Sequence, residues 1–459
     1  MASCRIRTIF NAIPRAVQIK FIFRSYDDNA LKNSSAEVKK MKYTHKNKPK
    51  ALVIAAVLAM TLAGCGSADR STSAVSSASE VTESAVLTET SVTNQDSAVS
   101  ADSELFSERD LNQTPDLSDA VYLTVSDGQD ISVSEEGIYV LSGSAEEVTV
   151  TVDAADDAKV QIVLDGVSIT NKVFPAIYVK NADKVFITTT DSENVLTVTG
   201  EFTDDESTGT DGVIFSKDDL VLNGVGTLTI SSTENGVVSK DDLKITGGTY
   251  YITASSKAFE ANDSILIADG AFTINAGSDG FHAENDDDNT QGAIVIEDGT
   301  FSVNVQDDAI HGQTTVTING GTFDLTAGEG IESTQIEING GALTINATDD
   351  GINAGRKSTA YDVSITINDG DITVVMANGD TDAIDSNGNL YVNGGTINIS
   401  AQSAFDYDGV GEYNGGTIIV NGQTVNSLST QMMGGRMNNG GQRMRTDSGT
   451  NSAPAGGFR

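Results

Sequence analysis

The sequence predicts an all-β chain, a right-handed parallel β-helix (solenoid) with coils of about 22 residues, and three observations carry that expectation. A glycine phrase returns between residues 225 and 425, as in Gly247-Gly248-Thr249-Tyr250, Asp298-Gly299-Thr300-Phe301 and Gly320-Gly321-Thr322-Phe323. Its second glycines, from Gly226 through Gly248, Gly270, Gly299, Gly321, Gly341, Gly370 and Gly395 to Gly416, lie 22, 22, 29, 22, 20, 29, 25 and 21 residues apart. Apolar and polar residues alternate in runs too short for helices, the period of two that sends every second side chain to one face of a strand. Val316 and Ile318, Phe323 and Leu325, then Ile331 recur one repeat later as Ile336 and Ile338, Leu343 and Ile345, then Ile352. Three strands and three turns per coil follow, with glycine at corners where a positive φ costs a residue without Cβ little. The leucine and asparagine frame of a leucine-rich repeat is missing.

From the N-terminus, residues 1–64 read as an extension followed by an export signal, with Met41 the expected start and a genuine extension over 1–40 the alternative. Lys42, Lys46, Lys48 and Lys50 make a basic region, 51–60 an apolar one, and Leu62-Ala63-Gly64-Cys65 resembles a bacterial lipobox. Cys65 would then be acylated, placing the protein outside the cell and at the membrane through its lipid alone. The cysteines are Cys4 and Cys65, both at or before the cleavage point, so neither a disulfide framework nor a thiolate metal site is expected beyond it. Residues 65–118 are expected to be a disordered linker, richest in Ser, Thr and Ala up to about 104. Residues 119–427 are expected to form the β-helix, its first hundred residues serving as early coils and a cap over otherwise bare strand edges. Residues 428–459, rich in Gly and Met, read as a flexible tail.

Residues 1–65 carry 12 of the 28 basic and 3 of the 65 acidic side chains, so the remainder carries 16 against 62, a net of −46. Such a surface excludes nucleic acid as a partner and repels an anionic membrane. A monomer is expected.

A second phrase sets a register: Asp279-Gly280-Phe281-His282, Asp308-Ala309-Ile310-His311, Glu329-Gly330-Ile331-Glu332, Asp350-Gly351-Ile352-Asn353, Asp382-Ala383-Ile384-Asp385 and Ser403-Ala404-Phe405-Asp406. With the Phe/Ile column inward, His282, His311, Glu332, Asn353, Asp385 and Asp406 point out, solvent-facing. Asp279, Asp308, Glu329, Asp350 and Asp382 stack beside them, flanked by Asp307 and Asp349. Like charges at β spacing repel, and a hard cation reverses that repulsion, so Ca2+ is the expected cofactor and these acids its ligands. The two histidines with Asp279 and Asp308 are also a donor set for a transition metal.

The longer steps place extra residues at 284–292, 354–363 and 376–381, all near the acidic phrase, and insertions on one face of a solenoid build binding surfaces. Between Ala258 and Met433 the only Lys or Arg residues are Arg356 and Lys357, on one of these loops. Either could be the base of a calcium-assisted β-elimination, or simply an ion-pair partner in a surface loop. The expected polysaccharide-binding residues are His282, His311, Asn353, Arg356, Lys357, Tyr361 and Tyr407. Tryptophan is absent, which favours hydrogen bonds and calcium bridges to carboxylates over stacking.

The run at 157–171, "DAKVQIVLDGVSITN", the run at 176–189, "AIYVKNADKVFITT", and the "INGGTF…DGI" coils resemble a family of bacterial carbohydrate-binding-domain proteins, over roughly residues 119–427. That resemblance implies a secreted or lipid-anchored parallel β-helix shaped like a pectate lyase. It also implies binding of cellulose and acidic plant polysaccharides such as pectin, calcium on the helix flank, and no established catalysis. The function expected is non-catalytic, calcium-dependent polysaccharide binding. A polysaccharide lyase and a structural surface adhesin are the alternatives.

Overall fold

A computed structural model describes residues 22–23, 105–203, 209–379 and 381–428. The chain divides into two units, Met1–Arg24 with Val99–Arg459, and Ser25–Ala98. The second, which includes Cys65 and most of the stretch expected to be an export signal, lies outside the described residues, as do the residues beyond Leu428.

The described residues are all-β, with strands from Val121–Thr124 to Gln423–Val425 joined in one long, parallel-rich sheet and no helix. Along most of it, each strand pairs in parallel with a strand two or three places further along the chain. The pairs follow the apolar columns: Val316↔Ile336, Ile318↔Ile338, Phe323↔Leu343, Leu325↔Ile345 and Ile331↔Ile352. All ten of these side chains are buried. One column is aromatic, Tyr250, Phe272, Phe301 and Phe323 stacking with centroids 5.3, 4.8 and 4.4 Å apart. Phe259 and Phe281 stack beside it at 5.0 Å, and Phe259 meets Phe272 edge-on at 5.9 Å. Offset and edge contacts of this kind add to the area that the rings bury.

The corners need their glycines for two reasons. Gly321 has φ +100°, and a Cβ there would lie 3.1 Å from the Gly299 carbonyl oxygen. Gly416 combines φ +87° with a 2.5 Å approach to Gly394 O, so a side chain is excluded by strain and by the neighbouring turn. Just before these glycines an asparagine ladder ties neighbouring turns. Asn339, Asn368, Asn393 and Asn414 each donate from Nδ2 to the Oδ1 of the preceding asparagine at 2.9, 2.7, 2.8 and 2.9 Å, and Asn319 donates to Glu297. Repeating amides satisfy donor and acceptor in one row. At the far end, Thr417–Val420 pairs antiparallel with Gln423–Val425, which covers a strand edge that would otherwise be bare.

One expected boundary is corrected. Residues 105–118, placed in the linker by composition, pack on the sheet. Phe106 is buried against Leu266 and Ala268. Asp110, buried almost completely, lies 3.7 Å from Lys184 Nζ and 3.9 Å from Lys244 Nζ. Gln113 donates to Thr246 O at 2.9 Å and accepts from Gly224 N–H at 2.7 Å. A few anchors in a polar stretch suffice because each reaches a partner already fixed in the sheet.

Candidate functional site

Strand register assembles the site. The column expected to point out is recovered, with one member added at its head: Glu260↔His282, His282↔His311, His311↔Glu332, Glu332↔Asn353, Asn353↔Asp385 and Asp385↔Asp406. The neighbouring acids are tied to one another through the backbone. Asp308 N–H donates to Asp279 Oδ1 at 3.0 Å and Asp382 N–H to Asp350 Oδ1 at 2.9 Å. Asp308 pairs in register with Glu329.

One expectation for the histidines fails. They are not solvent-facing, at 9% exposed for His282 and 7% for His311. Their rings lie 4.5 Å apart and 11° from parallel. The reason is charge: His311 Nδ1 sits 2.8 Å from Asp308 Oδ2 and 2.9 Å from Glu332 Oε2, and His282 Nδ1 lies 2.8 Å from Asp279 Oδ2. Glu284, unassigned by the sequence, reaches back to His282 Nε2 at 3.2 Å and His311 Nε2 at 4.0 Å.

The flank therefore divides into two parts, where the sequence suggested one uniform ladder. In the N-terminal part Glu260, Asp279, Glu284, Asp308 and Glu332 each have a Lys or His nitrogen as a neighbour. Glu260 is paired with Lys240 at 3.1 Å and Lys257 at 3.3 Å, and Glu332 with Lys357. Burial alone would raise Glu332, but hydrogen bonds from His311 and Lys357 outweigh it and hold the carboxyl down at about 2. Burial alone would lower His311, yet Asp308 and Glu332 push it up to about 10. Burial raises Asp308 despite its bond to His311.

In the C-terminal part the acids have mainly one another. Burial, then the charges of Glu332, Asp308 and Asp350, push Glu329 up to about 8, although Asn353 donates to it at 3.0 Å. Burial, then Asp350, Asp382, Asp406 and Asp408, push Asp385 up to about 7. Asp350 is raised by burial and by Asp349, Asp382 and Glu332. Asn353 Oδ1 and Asp382 Oδ1 are buried with no hydrogen-bond partner among the described residues. Orphaned acceptors beside crowded carboxyls are the donor type that a hard cation takes, although these acids are not among the sets whose ligand atoms all lie within 4.8 Å of one another. The all-carboxylate sets whose oxygens do lie within 4.8 Å of one another are elsewhere: Asp219, Asp241 and Asp242, and Asp279, exposed Asp307 and Asp308, of which Asp279 and Asp308 already serve the histidines. Asp349 and Asp406 are exposed at the rim.

The model of the carbohydrate-binding domain-containing protein family matches residues 127–409 and 330–450, well over half of the chain. The chain belongs to this family. A carbohydrate-binding domain-containing protein of Acetivibrio thermocellus is 37% identical over 136 residues, 29% of this chain and 47% of that protein, so the chain spans about half the length of the curated relative it matches. A solved structure described as a polysaccharide lyase-like protein from C. thermocellum, a gadolinium derivative, is 29% identical, with a TM-score of 0.42, over 49% of this chain and 93% of that one.

The remaining residues expected to bind carbohydrate in this family member do not act as one group. Arg356 and Tyr361 are exposed on the 354–363 loop, Tyr361 at 40%. Lys357 is held by Glu332. Burial would lower its ammonium, but the Glu332 bond and charge raise it. Tyr407 is not free to stack on a sugar, since its ring packs on the core and its hydroxyl donates to Leu428 O at 2.9 Å. Two of the insertions meet: Asn289 Nδ2 donates to Thr359 Oγ1 at 2.7 Å and Ser358 Oγ to Asn289 O at 2.5 Å. The loops 284–292 and 354–363 thus form one rim beside the acids. Glu260 was legible in hindsight, because Phe259-Glu260-Ala261 repeats the pattern of Phe281-His282-Ala283 without the acid that opens the phrase.

Proposed function

We propose that the chain is an exported lipoprotein, anchored through Cys65, that binds acidic polysaccharide by calcium-bridged contact, as a monomer and without catalysis. Its scaffold on this reading is a right-handed parallel β-helix with coils of about 22 residues. The observation that carries the proposal is the C-terminal half of the flank, where burial and neighbouring acids raise the carboxyls of Glu329, Asp350 and Asp385, and Asn353 Oδ1 and Asp382 Oδ1 lie buried without a hydrogen-bond partner. Calcium held there would supply positive charge facing solvent. Uronate carboxylates are its natural partner, since a net of −46 beyond Cys65 otherwise repels a polyanion. Arg356 and Tyr361, on the loop that follows Asn353, supply a hydrogen-bonding fork and a ring edge for the same chain. Lyase chemistry is disfavoured by Lys357, because a base must be neutral and Glu332 keeps this ammonium charged.

Incubation with polygalacturonate and with cellulose, with and without calcium, tests the reading. Polygalacturonate is expected to be retained only with calcium, less so as salt rises, and no ultraviolet band of a 4,5-unsaturated uronate should develop. A steady rise of that band, lost in Arg356→Ala, would make the protein a lyase. Retention of neither polymer by folded protein would leave a structural adhesin. Anchoring is tested separately: Cys65→Ser should move the protein from the membrane fraction to the medium, and unchanged retention would remove the lipid anchor from the account.

A further inference from the structure

The N-terminal half of the flank carries a donor set of another kind. His282 and His311 are register partners on the strands Phe281–Ala283 and Asp308–Ile318. Each has the carboxylate three residues before it at Nδ1, 2.8 Å away, an aligned hydrogen bond at His311 and an unaligned contact at His282. Both Nε2 atoms therefore face the same carboxylate, Glu284, whose Oε2 lies 3.2 and 4.0 Å from them. Imidazoles whose Nδ1 is directed at a carboxylate and whose Nε2 is left for a cation are the common form of histidine ligation.

We propose that His282 Nε2, His311 Nε2 and the Glu284 carboxylate form a binding site for a first-row divalent transition metal of the zinc class, separate from the oxygen-only part of the flank. Two imidazole nitrogens and one carboxylate suit zinc and its neighbours, whereas calcium takes six to eight oxygens. A tetrahedral centre with bonds of about 2.1 Å has edges of roughly 3.4 Å. The 3.2 Å edge already fits, and the 4.0 Å edge must close slightly as the near-parallel rings tilt toward each other. His282 has the freedom to tilt, since its buried Nδ1 has no aligned partner. Three protein ligands leave one position open, beside a carboxylate that is 42% exposed. Glu284 opens the 284–292 loop, which bonds to the 354–363 loop through Asn289, so the metal would tie that rim to the sheet. The inference does not depend on calcium or on the polysaccharide.

The test uses the full chain without an affinity tag, in millimolar calcium to fill acid-only sites, titrated with cobalt(II) and then zinc. The expected result is a visible cobalt absorption that saturates at one equivalent and is removed by zinc. Glu284→Gln should weaken zinc binding by about tenfold or more, with an unchanged metal-free melting curve, and His282→Gln should abolish the cobalt band. No band and no zinc uptake would overturn the proposal. So would uptake that is equal in wild type, Glu284→Gln and His282→Gln, which would assign it to residues such as His45, Cys4 or Cys65. Should His282→Gln fail to fold, Glu284→Gln alone decides, because its side chain is the least buried of the three.

Discussion

Ile331→Asp is expected to abolish the cooperative thermal transition. Ile331 is fully buried and stands in register between Ile310 and Ile352, so a carboxylate there meets apolar side chains above and below. Burying an unpaired charge costs several kcal/mol, and losing the isoleucine adds about 2–5 kcal/mol more. Whole domains are stable by only about 5–15 kcal/mol. The strand that carries Ile331 pairs with a strand on each side, so its loss also removes the interfaces on both of its sides. Far-UV circular dichroism should show lost strand signal, while Tyr361→Ala, on the exposed rim, should melt as wild type does. A native spectrum and melting temperature for Ile331→Asp would mean that the apolar columns do not face a core.

The second large effect is a pH dependence that calcium removes. Glu329, pushed up to about 8, and Asp385, pushed up to about 7, hold protons in the folded state that the unfolded chain has released above about pH 4.5. Wherever the folded state binds more protons, stability falls as pH rises, so the penalty grows from about pH 4.5 to 8. His311 acts in the same direction above about 6.5, because its raised pKa favours folding only while the ring is protonated. Glu332, held at about 2, has the opposite sign but titrates below this window. In chelator the melting temperature should therefore fall, by about 5 °C between pH 5 and 8, given the partial exposure of these groups. In millimolar calcium the curve should be nearly flat, since a ligand bound only by the native state stabilises it most where the acids are ionised. Coincident curves in chelator and calcium would remove the cation from the flank.

The columns were legible because side-chain alternation and glycine spacing are local and repeat many times, so that Phe323 and Leu343 announce each other. The column from His282 to Asp406 was legible for the same reason. Its electrostatics were not. Which acids lack a counter-charge depends on Lys240, Lys257 and Lys357 reaching across coils, and on Glu284 folding back from an insertion that breaks the period. The packed segment at 105–118 was hidden too, since Phe106, Asp110 and Gln113 gain meaning only from Leu266, Lys244 and Thr246, more than a hundred residues away. Tyr407 looked like a sugar platform because a sequence does not show that its hydroxyl is taken by Leu428. The asparagine ladder stood in plain view before the last five glycine corners, from Gly321 to Gly416, and its regularity is a signal that spacing alone could have yielded.

On the proposed function, acids crowded in the C-terminal half of the flank bind the cation through which polysaccharide is held. The most direct measurement is calcium-dependent retention of polygalacturonate by the double variant Glu329→Gln, Asp385→Asn. Neutral amides relieve the mutual repulsion, so the variant should melt at or above the wild-type temperature in chelator while losing calcium-dependent retention. A variant that folds equally well and retains polygalacturonate as wild type does, at the same calcium concentration, would contradict the account.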